Sequence, residues 1–250
     1  MYQFFVEPSQ INDKIVIIEG KDVNHIKNVL RMKIGEEVSV SNGLDGNEYR
    51  CQIQEFGEET VTLKLMFIKQ DGVELPSKIY LFQGLPKADK MELIIQKAVE
   101  LGVYEIIPVA TKRAVVKLDD KKAKSKIARW QAISEAAAKQ SKRAIVPKIG
   151  DVMTFAEAVK YAAGMEKKCI PYELAEGMEK TKEWVESIGR KERVAVFIGP
   201  EGGFEESEIE LATQNQILPI TLGKRILRTE TAGFTVLSWI MYQLESSEKF

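Results

Sequence analysis

The sequence predicts an α/β fold in two parts: a small β-barrel over residues 1–70 and a mostly parallel sheet covered by helices over residues 78–250, joined by a linker at 71–77. In the first part, short apolar runs are separated by turn residues at the spacing of a small barrel. In the second part, apolar strands alternate with amphipathic helices, which favours a parallel sheet. Turn residues and Pro76 mark the linker between them.

The predicted barrel has five strands and one helix. The strands lie at 4–6, 15–18, 37–41, 49–53 and 61–65. A helix is predicted over residues 22–31, because four apolar residues recur at helical spacing: Val23, Ile26, Val29 and Leu30. His25, Lys27 and Arg31 would then face outward, as an RNA-binding module requires. His25 is the only histidine, and three roles are open to it: a surface or structural residue, an RNA contact, or a catalyst.

The second part is predicted to alternate strands and helices. Its strands are expected at 79–82, 104–109, 168–171, 194–198 and 217–222. Its helices are expected at 89–102, 125–141, 154–163 and 231–245. Asp89 with Glu92, and Thr154 with Glu157, have the spacing of a capping box at a helix start. The last helix is unusually apolar, so that either core packing or a dimer face is open as its role.

Two glycine turns near the C-terminus predict a binding site. The apolar run from Val194 to Ile198 ends abruptly in Gly199-Pro200, and Gly202 and Gly203 follow at once. The run at 217–222 is likewise followed by Gly223. Glycine turns at the carboxyl ends of parallel strands face the crevice where such sheets bind ligands. We therefore expect both turns to line one site.

Charge is unevenly distributed along the chain, although the net charge is only -1. Residues 1–70 hold eight Lys and Arg against eleven Asp and Glu, whereas residues 111–148 hold twelve against three. This asymmetry indicates a polyanionic partner. For the lysine-rich run at 121–126 alone, a solvated helix face is an equally good interpretation.

Several classes of protein are excluded by what the sequence lacks. One histidine and two distant cysteines are too few for the ordinary zinc sites, so no metal is expected. The chain has neither a phosphate-binding Gly-x-x-x-x-Gly-Lys-Ser/Thr loop nor any Gly-x-Gly, which argues against common nucleotide-binding fingerprints. Without a signal-peptide pattern or a bilayer-length apolar run, and with two lone cysteines, a cytoplasmic protein without membrane contact is expected.

The glycine turns carry a resemblance to a known family. Ile198-Gly-Pro-Glu-Gly-Gly-Phe204, together with Leu222-Gly-Lys-Arg-Ile-Leu-Arg-Thr-Glu-Thr-Ala232, closely resembles the signature of the RsmE-type ribosomal RNA uridine-N3 methyltransferases of the SPOUT class. Similar blocks occur in the family's order from residue 25 to 233, among them Lys90-Met-Glu-Leu-Ile-Ile-Gln-Lys-Ala98 and Glu135-Ala-Ala-Ala-Lys-Gln-Ser-Lys-Arg143. The combination is more specific than the Gly-Pro-Glu-Gly-Gly motif alone.

The resemblance implies a fold and a cofactor. The N-terminal part would be a PUA-like barrel, and the C-terminal part a SPOUT domain whose end forms a trefoil knot. S-adenosylmethionine would bind among the knot loops of a homodimer, with the last helix in the dimer contact. Ile198, Gly199 and Gly203 would line its ribose and methionine side. Its adenine would be enclosed by a second set of residues: Leu222, Gly223, Ile226 and Leu227.

The implied reaction is methylation of uridine N3 in small-subunit (16S) ribosomal RNA. N3 is an imide nitrogen and becomes nucleophilic only when its proton leaves. Arg228 is our candidate for stabilising the developing charge, and Glu230 for a base or an orienting group. These two side chains also have a simpler interpretation, in which they pair with each other and only fix the loop. Because N3 lies on the Watson–Crick edge, the target base has to be unpaired or flipped out.

A set of basic residues is predicted to hold the RNA around the target. The set comprises His25, Arg31, Lys112, Arg113, Lys139, Lys142 and Arg143. Two alternatives to the main hypothesis remain open: a SPOUT methyltransferase that acts on another RNA site, and a non-catalytic RNA-binding factor for ribosome assembly.

Overall fold

The computed structural model describes residues 1–70 and 72–246, which form two compact units. Of the described residues, the first unit combines 1–70 and 72–74 with 138–146, and the second combines 75–137 with 147–246. Residue 71 of the expected linker and residues 247–250 lie outside the described residues. Within the described residues, no helix is long and apolar enough to cross a membrane.

The first unit contains a six-stranded sheet around a buried apolar core. Its strands are β1 (Gln3–Phe5), β2 (Ile11–Asn12), β3 (Ile15–Glu19), β4 (Glu37–Ser41), β5 (Glu48–Phe56) and β6 (Thr60–Lys69). They are arranged in the order β1-β4-β5-β6-β3-β2, and every pairing except the parallel β1–β4 pair is antiparallel. The five predicted strands are present, and β6 runs four residues beyond its predicted end at residue 65.

The predicted helix at 22–31 is shorter and less regular than expected. Helix α1 (Lys21–Asn24) continues as a wider π-helical turn, in which the amide of Leu30 donates to the carbonyl of His25 at 2.8 Å. This widening moves Val29 off the apolar face, so its side chain is 61% exposed and its predicted burial is wrong. Lys27 is not free either, because its ammonium donates to the carbonyls of Gly57 and Glu58.

Residues 138–146 are tied to the first unit through Arg143, which is buried. The guanidinium forms an ion pair with Glu74, and Nε donates to Oε2 of that carboxylate at 3.1 Å. The other carboxylate oxygen accepts the amides of Ala144 and Ile145, each at 3.1 Å. The side chain of Gln3 donates to the Arg143 carbonyl at 2.7 Å. Burial therefore makes Arg143 a structural residue, which corrects its prediction as an RNA contact.

Removal of the Glu74 carboxylate should destabilise the protein. Glu74→Ala leaves a buried guanidinium and two amides without their acceptor, so the free energy of unfolding should fall by about 3 kcal/mol. Urea unfolding measures this, with Glu59→Ala on an exposed position of the same unit as the control. Equal effects from the two substitutions would show that the Arg143–Glu74 pair does not hold residues 138–146 in place.

The second unit is built on a parallel sheet. Its strands are β7 (Lys78–Gly84), β8 (Glu105–Ala110), β9 (Lys148–Ile149), β10 (Met153–Thr154), β11 (Lys167–Pro171), β12 (Arg193–Ile198) and β13 (Leu218–Ile220). Their order is β10-β8-β7-β12-β11-β13, with β9 beside β8, and all pairings are parallel. Strand β12 comes directly before β13 in the chain, but β13 lies beside β11 and not beside β12.

Helices pack on this sheet, as the alternating pattern predicts. They are α2 (Lys90–Glu100), α3 (Asp120–Gln140), α4 (Phe155–Tyr161), α5 (Met178–Glu186), α6 (Glu206–Gln214) and α7 (Thr229–Ser246). Helices α4 and α6 share one apolar cluster with Phe82 of β7 and Phe197 of β12, whose rings stack at 4.4 Å. Helices α2 and α7 contact each other, and α7 also contacts β12.

The two predicted capping boxes have different outcomes. Thr154 and Glu157 form theirs, since the Thr154 hydroxyl accepts the Glu157 amide and the Glu157 carboxylate accepts the Thr154 amide. The box at Asp89 is wrong: the Asp89 side chain makes no cap hydrogen bond. Glu92 instead pairs with Arg129 of α3, with Nε 2.8 Å from the carboxylate. A long-range partner therefore replaces the local one.

Candidate active site

A cleft of about 510 Å³ lies at the carboxyl ends of β11, β12 and β13. Three loops line it, at 171–173, 198–204 and 221–229, with Lys90 and Ala232 from helices α2 and α7. The two predicted glycine turns therefore face one crevice, although β11 separates their strands. The structure brings together all seven residues predicted for the cofactor, and Arg228 lines the same cleft.

The loop after β12 is folded tightly against its own atoms. A Cβ on Gly199 would lie 3.1 Å from the Cα of Gly203 and 3.2 Å from the ring of Phe204. A Cβ on Gly202 would lie 3.1 Å from that of Arg113. At both positions a side chain would press on neighbouring atoms of the protein, whereas the sequence suggested that Gly199, Gly202 and Gly203 all serve ligand approach.

Gly203 and Gly223 differ from these two positions. Both have positive φ, at 67° and 103°, and neither would place a Cβ within 4 Å of another atom. The left-handed backbone favours glycine. The open space leaves the backbone accessible at these two points of the cleft, which is the property that a closely bound ligand needs.

Arg113 supports the loop after β12 from outside. Its Nε donates to the Glu205 carboxylate at 2.9 Å, and Nη1 donates to the Gly202 carbonyl at 3.2 Å. The Arg113 hydrogen bond lowers the pKa of Glu205, and the same bond raises the pKa of Arg113. The neighbouring Lys112 donates to the hydroxyl of Ser207 at 2.7 Å and remains exposed. Arg113 therefore stabilises the loop through its ion pair, although its side chain, like that of Lys112, is exposed.

Arg228 and Glu230 do not pair with each other. No carboxylate of the described residues lies within ion-pair distance of Arg228, which is exposed at the cleft. Glu230 instead has its Oε2 3.6 Å from the ammonium of Lys90, and this buried oxygen has no hydrogen-bond donor. The interpretation in which the two residues merely fix each other is therefore wrong.

Lys90 lies between two carboxylates at the edge of the cleft. Its ammonium is 2.9 Å from Glu201, whose carboxylate also accepts the Lys87 amide. Partial burial acts to raise the pKa of Glu201, but the hydrogen bond from Lys90 and two backbone amides lower it on balance. The pKa of Lys90 is raised by its bond to Glu201. These shifts keep Glu201 ionised and Lys90 protonated at neutral pH.

Sequence reasoning did not select several residues of the cleft. Tyr172 and Glu173 directly follow β11, so the rule that ligands bind at carboxyl ends of parallel strands points to them. Thr229 begins α7; it lies within the family motif at 222–232, but the motif does not indicate its role. Its hydroxyl donates to the carbonyl of Gly199 at 2.6 Å, which joins the helix to the glycine loop.

The remaining predicted RNA contacts lie in the first unit. His25, Arg31 and Lys142 are exposed. Lys139 is engaged, with its ammonium 3.2 Å from Asp22 and 5.9 Å from the centre of the Phe5 ring. Among the described residues, no group of three or more His, Cys, Asp or Glu side chains is placed to hold a metal ion.

Comparison with known proteins decides the family. Residues 73–241 match the family model of an RNA methyltransferase domain, and residues 18–66 match that of an RNA methyltransferase PUA domain. A ribosomal RNA small subunit methyltransferase E from Bacillus subtilis is 39% identical over 98% of both chains. This chain belongs to the ribosomal RNA small subunit methyltransferase E family. The resemblance drawn from the glycine motifs is confirmed, as is the α/β fold with its PUA-like barrel.

Two solved structures extend the comparison. The ribosomal RNA small subunit methyltransferase E of Neisseria gonorrhoeae, bound to S-adenosyl methionine, matches with a TM-score of 0.81 at 29% identity, over 95% of both chains. A methyltransferase from Legionella pneumophila, in complex with the bound cofactor SAM, matches with a TM-score of 0.81 at 30% identity, over 96% of both chains. Both are similar to this chain over nearly its whole length. The trefoil knot stays a prediction.

The Lys90 ion pair should make stability depend on pH. The pKa of Glu201 is lower in the folded protein than its ordinary value of 4.5, so the pair stabilises above that value and is lost as the pH falls through the folded pKa. We expect Lys90→Met to lower Tm by about 2 °C at pH 7 and by less below about pH 4. Lys87→Met is the control, because it keeps the backbone donor to Glu201. A Tm difference independent of pH would contradict this account.

Proposed function

We propose that this protein transfers the methyl group of S-adenosylmethionine to N3 of a uridine in small-subunit (16S) ribosomal RNA. The observation that carries the proposal is the cleft at the carboxyl ends of β11, β12 and β13, lined by the two family motifs. Membership of the methyltransferase E family supports the class of substrate. The two similar structures that contain the cofactor support its identity.

The residues of the cleft fit the cofactor. Gly203 and Gly223 leave the backbone accessible, which suits the ribose and methionine side and the adenine respectively. Ile198 is buried at the base, Leu222 and Leu227 are half-buried, and Ile226 is 89% exposed. An apolar side chain so exposed beside a cleft would lose contact with water when adenine covers it. We therefore assign these residues, with Gly199, to cofactor binding.

Methyl transfer requires that the uracil N3 is correctly placed and that it loses its proton. The bound sulfonium supplies an electrophilic methyl group, so the protein has to hold the uracil N3 in line with it. As the imide proton leaves, negative charge develops on the ring. Arg228 is exposed at the cleft without a carboxylate partner, and we assign it to stabilising that charge.

Glu230 is our candidate for the proton acceptor or orienting group. It follows Thr229 of the cleft lining, and its buried Oε2 accepts no hydrogen bond. The ammonium of Lys90 lies 3.6 Å from this oxygen and can orient the carboxylate. A buried oxygen without a hydrogen bond destabilises the protein. Such groups are found at functional sites, where their chemistry is needed.

The proposal includes a trefoil knot and a homodimer, and helix α7 has the apolar residues that the dimer would use. One face of α7 is buried within the second unit through Val236, Leu237, Ile240 and Leu244. Of its other apolar residues, Phe234, Trp239 and Met241 are only half-buried, and Tyr242 is 73% exposed. These residues are available to a second copy of the chain. The helix that was open to two interpretations thus has apolar groups for both.

RNA contacts are proposed for the basic residues that remain accessible. They are His25, Arg31, Lys112 and Lys142. Lys139 in the first unit and Arg113 in the second form ion pairs with Asp22 and Glu205, and each would support the RNA contacts of its own unit. Because the target N3 lies on the pairing edge, these contacts have to hold an unpaired or flipped nucleotide.

Mass mapping of ribosomal RNA from a deletion strain tests the function. Small-subunit RNA of the strain should lack one N3-methyluridine, and the modification should return when the gene is restored. Loss of a methyl group from another base would favour a methyltransferase of different specificity. An unchanged methylation map would contradict the enzymatic function and favour a non-catalytic assembly factor.

The RNA contacts predict a change in salt dependence. Replacing Lys112 and Lys142 by Ala should weaken RNA binding and reduce the slope of log affinity against log salt by about 1 to 2, since up to two phosphate contacts are lost. Binding to small-subunit RNA over a salt series measures it. Lys182→Ala on α5 is the control, because its ammonium lies 3.9 Å from Glu179 on the same helix. An unchanged slope would mean that the two lysines are only solvated.

A further inference from the structure

Thr229 connects the last helix to the glycine loop through a buried hydroxyl. The residue begins α7 and is 5% exposed. Its hydroxyl donates to the carbonyl of Gly199 at 2.6 Å and accepts the amide Nε2 of Gln83 at 3.0 Å. The two bonds join three elements of the second unit: the end of β7, the loop after β12 and the start of α7.

Gln83 is a polar residue at a fully buried position of the sheet, where an apolar residue is usual. It lies on the central strand β7 and is fully buried, and its Nε2 also donates to the Gly84 carbonyl at 2.9 Å. Its Oε1 has no hydrogen-bond partner. A buried acceptor without a donor costs about 1–3 kcal/mol, which an apolar side chain would avoid. The amide therefore has a use that offsets this cost.

That use follows from the geometry of a hydroxyl group. A threonine hydroxyl has one hydrogen, which rotates freely unless its surroundings fix it. The Gln83 amide occupies an acceptor site of the oxygen, so the hydrogen is directed to the other partner, the Gly199 carbonyl. The orientation of Gln83 thus determines what Thr229 binds.

The carbonyl so held belongs to a loop with little freedom elsewhere. A Cβ on Gly84 would lie 2.7 Å from the nitrogen of Pro200, so β7 packs directly on the Gly199–Pro200 peptide. The Gly203 amide donates to the Pro200 carbonyl at 2.9 Å. With the Gly199 carbonyl also held by Thr229, the loop from Gly199 to Gly203 is hydrogen-bonded at both ends.

We propose that Gln83 and Thr229 are positioning residues that hold the glycine loop in its binding shape before the cofactor arrives. The inference rests on the proposed function, because the ligand of the loop is S-adenosylmethionine. A loop that is already ordered loses less conformational freedom on binding, and its affinity is higher for that reason.

Substitutions at the two positions separate positioning from stability. Thr229→Val removes the hydroxyl at nearly constant shape and should raise the Kd for S-adenosylmethionine at least tenfold in calorimetry. Thr229→Ser keeps the hydroxyl and should restore most of the affinity. Thr235→Val on the same helix is the matched control, since its hydroxyl donates only to the Thr231 carbonyl, and should leave Kd unchanged.

Gln83→Met is the decisive variant, because the two roles predict different effects. Methionine removes the unpaired oxygen together with the two hydrogen bonds that Nε2 donates to Thr229 and Gly84, so these effects oppose each other and Tm without cofactor should change little. Kd should still increase several-fold because Thr229 is no longer directed. The double variant with Thr229→Val should bind no more weakly than Thr229→Val alone. Unchanged Kd in both single variants, or a Kd that rises only where Tm falls, would overturn the proposal.

Measurements on the wild-type protein separate a failure of the positioning role from a failure of the proposed function. If the wild type binds the cofactor and methylates ribosomal RNA while the variants bind equally well, only the positioning role fails. If the wild type does not bind S-adenosylmethionine at all, the proposed function fails and the positioning role with it.

Discussion

The close approach of β7 to the Gly199–Pro200 peptide is the constraint on which the rest of the site depends. Side-chain atoms have no room between Gly84 and Pro200, so the loop after β12 has to turn at the end of the central strands. Thr229 then joins the start of α7 to the same peptide. The cleft exists because three segments, distant in sequence, meet at this point.

The order of the strands explains why the cleft has three sides. Strand β13 pairs with β11, so the chain passes over β11 between β12 and β13. The loops after all three strands consequently open on one side of the sheet. Two of them carry the glycines with positive φ, Gly203 and Gly223, and the third contributes Tyr172 and Glu173. A ligand placed here is contacted by backbone from two directions.

Ion pairs divide the basic residues into two groups. Arg143 and Arg113 hold Glu74 and Glu205, and Lys90 holds Glu201, so their charges are used within the protein. Arg228 remains exposed at the cleft without such a partner among the described residues. The distinction matters for the mechanism, because a cation already paired with a carboxylate has less field to offer a developing negative charge.

The periodicity of apolar residues predicted much of the fold, because the sequence signals for a strand or a helix lie within the segment itself. The strand ending at Ile198 and the box at Thr154 depend only on neighbouring residues, and both formed. The errors arose where a distant partner decides. Glu92 pairs with Arg129, and Arg143 is buried against Glu74. The error at Val29 has a local cause instead, the π-helical turn after α1.

The candidate site was predicted in outline for a similar reason. Glycine motifs indicate a turn independently of the surrounding structure. The motifs at 198–204 and 222–232, and the family resemblance that they carry, could therefore be read from the sequence. Its supports were not, because Gln83 precedes Thr229 by 146 positions and no spacing joins them. Gly199 lines the cleft as predicted, and the absence of its side chain also leaves space for its own loop.

A crystal structure of the protein with S-adenosylmethionine is the most direct test of the central claim. The cofactor should lie in the cleft between the three loops, against the backbone of Gly203 and Gly223, with the Thr229 hydroxyl still donating to the Gly199 carbonyl. A cofactor bound elsewhere, or a Gly199 carbonyl that turns away from Thr229 to receive it, would contradict the account.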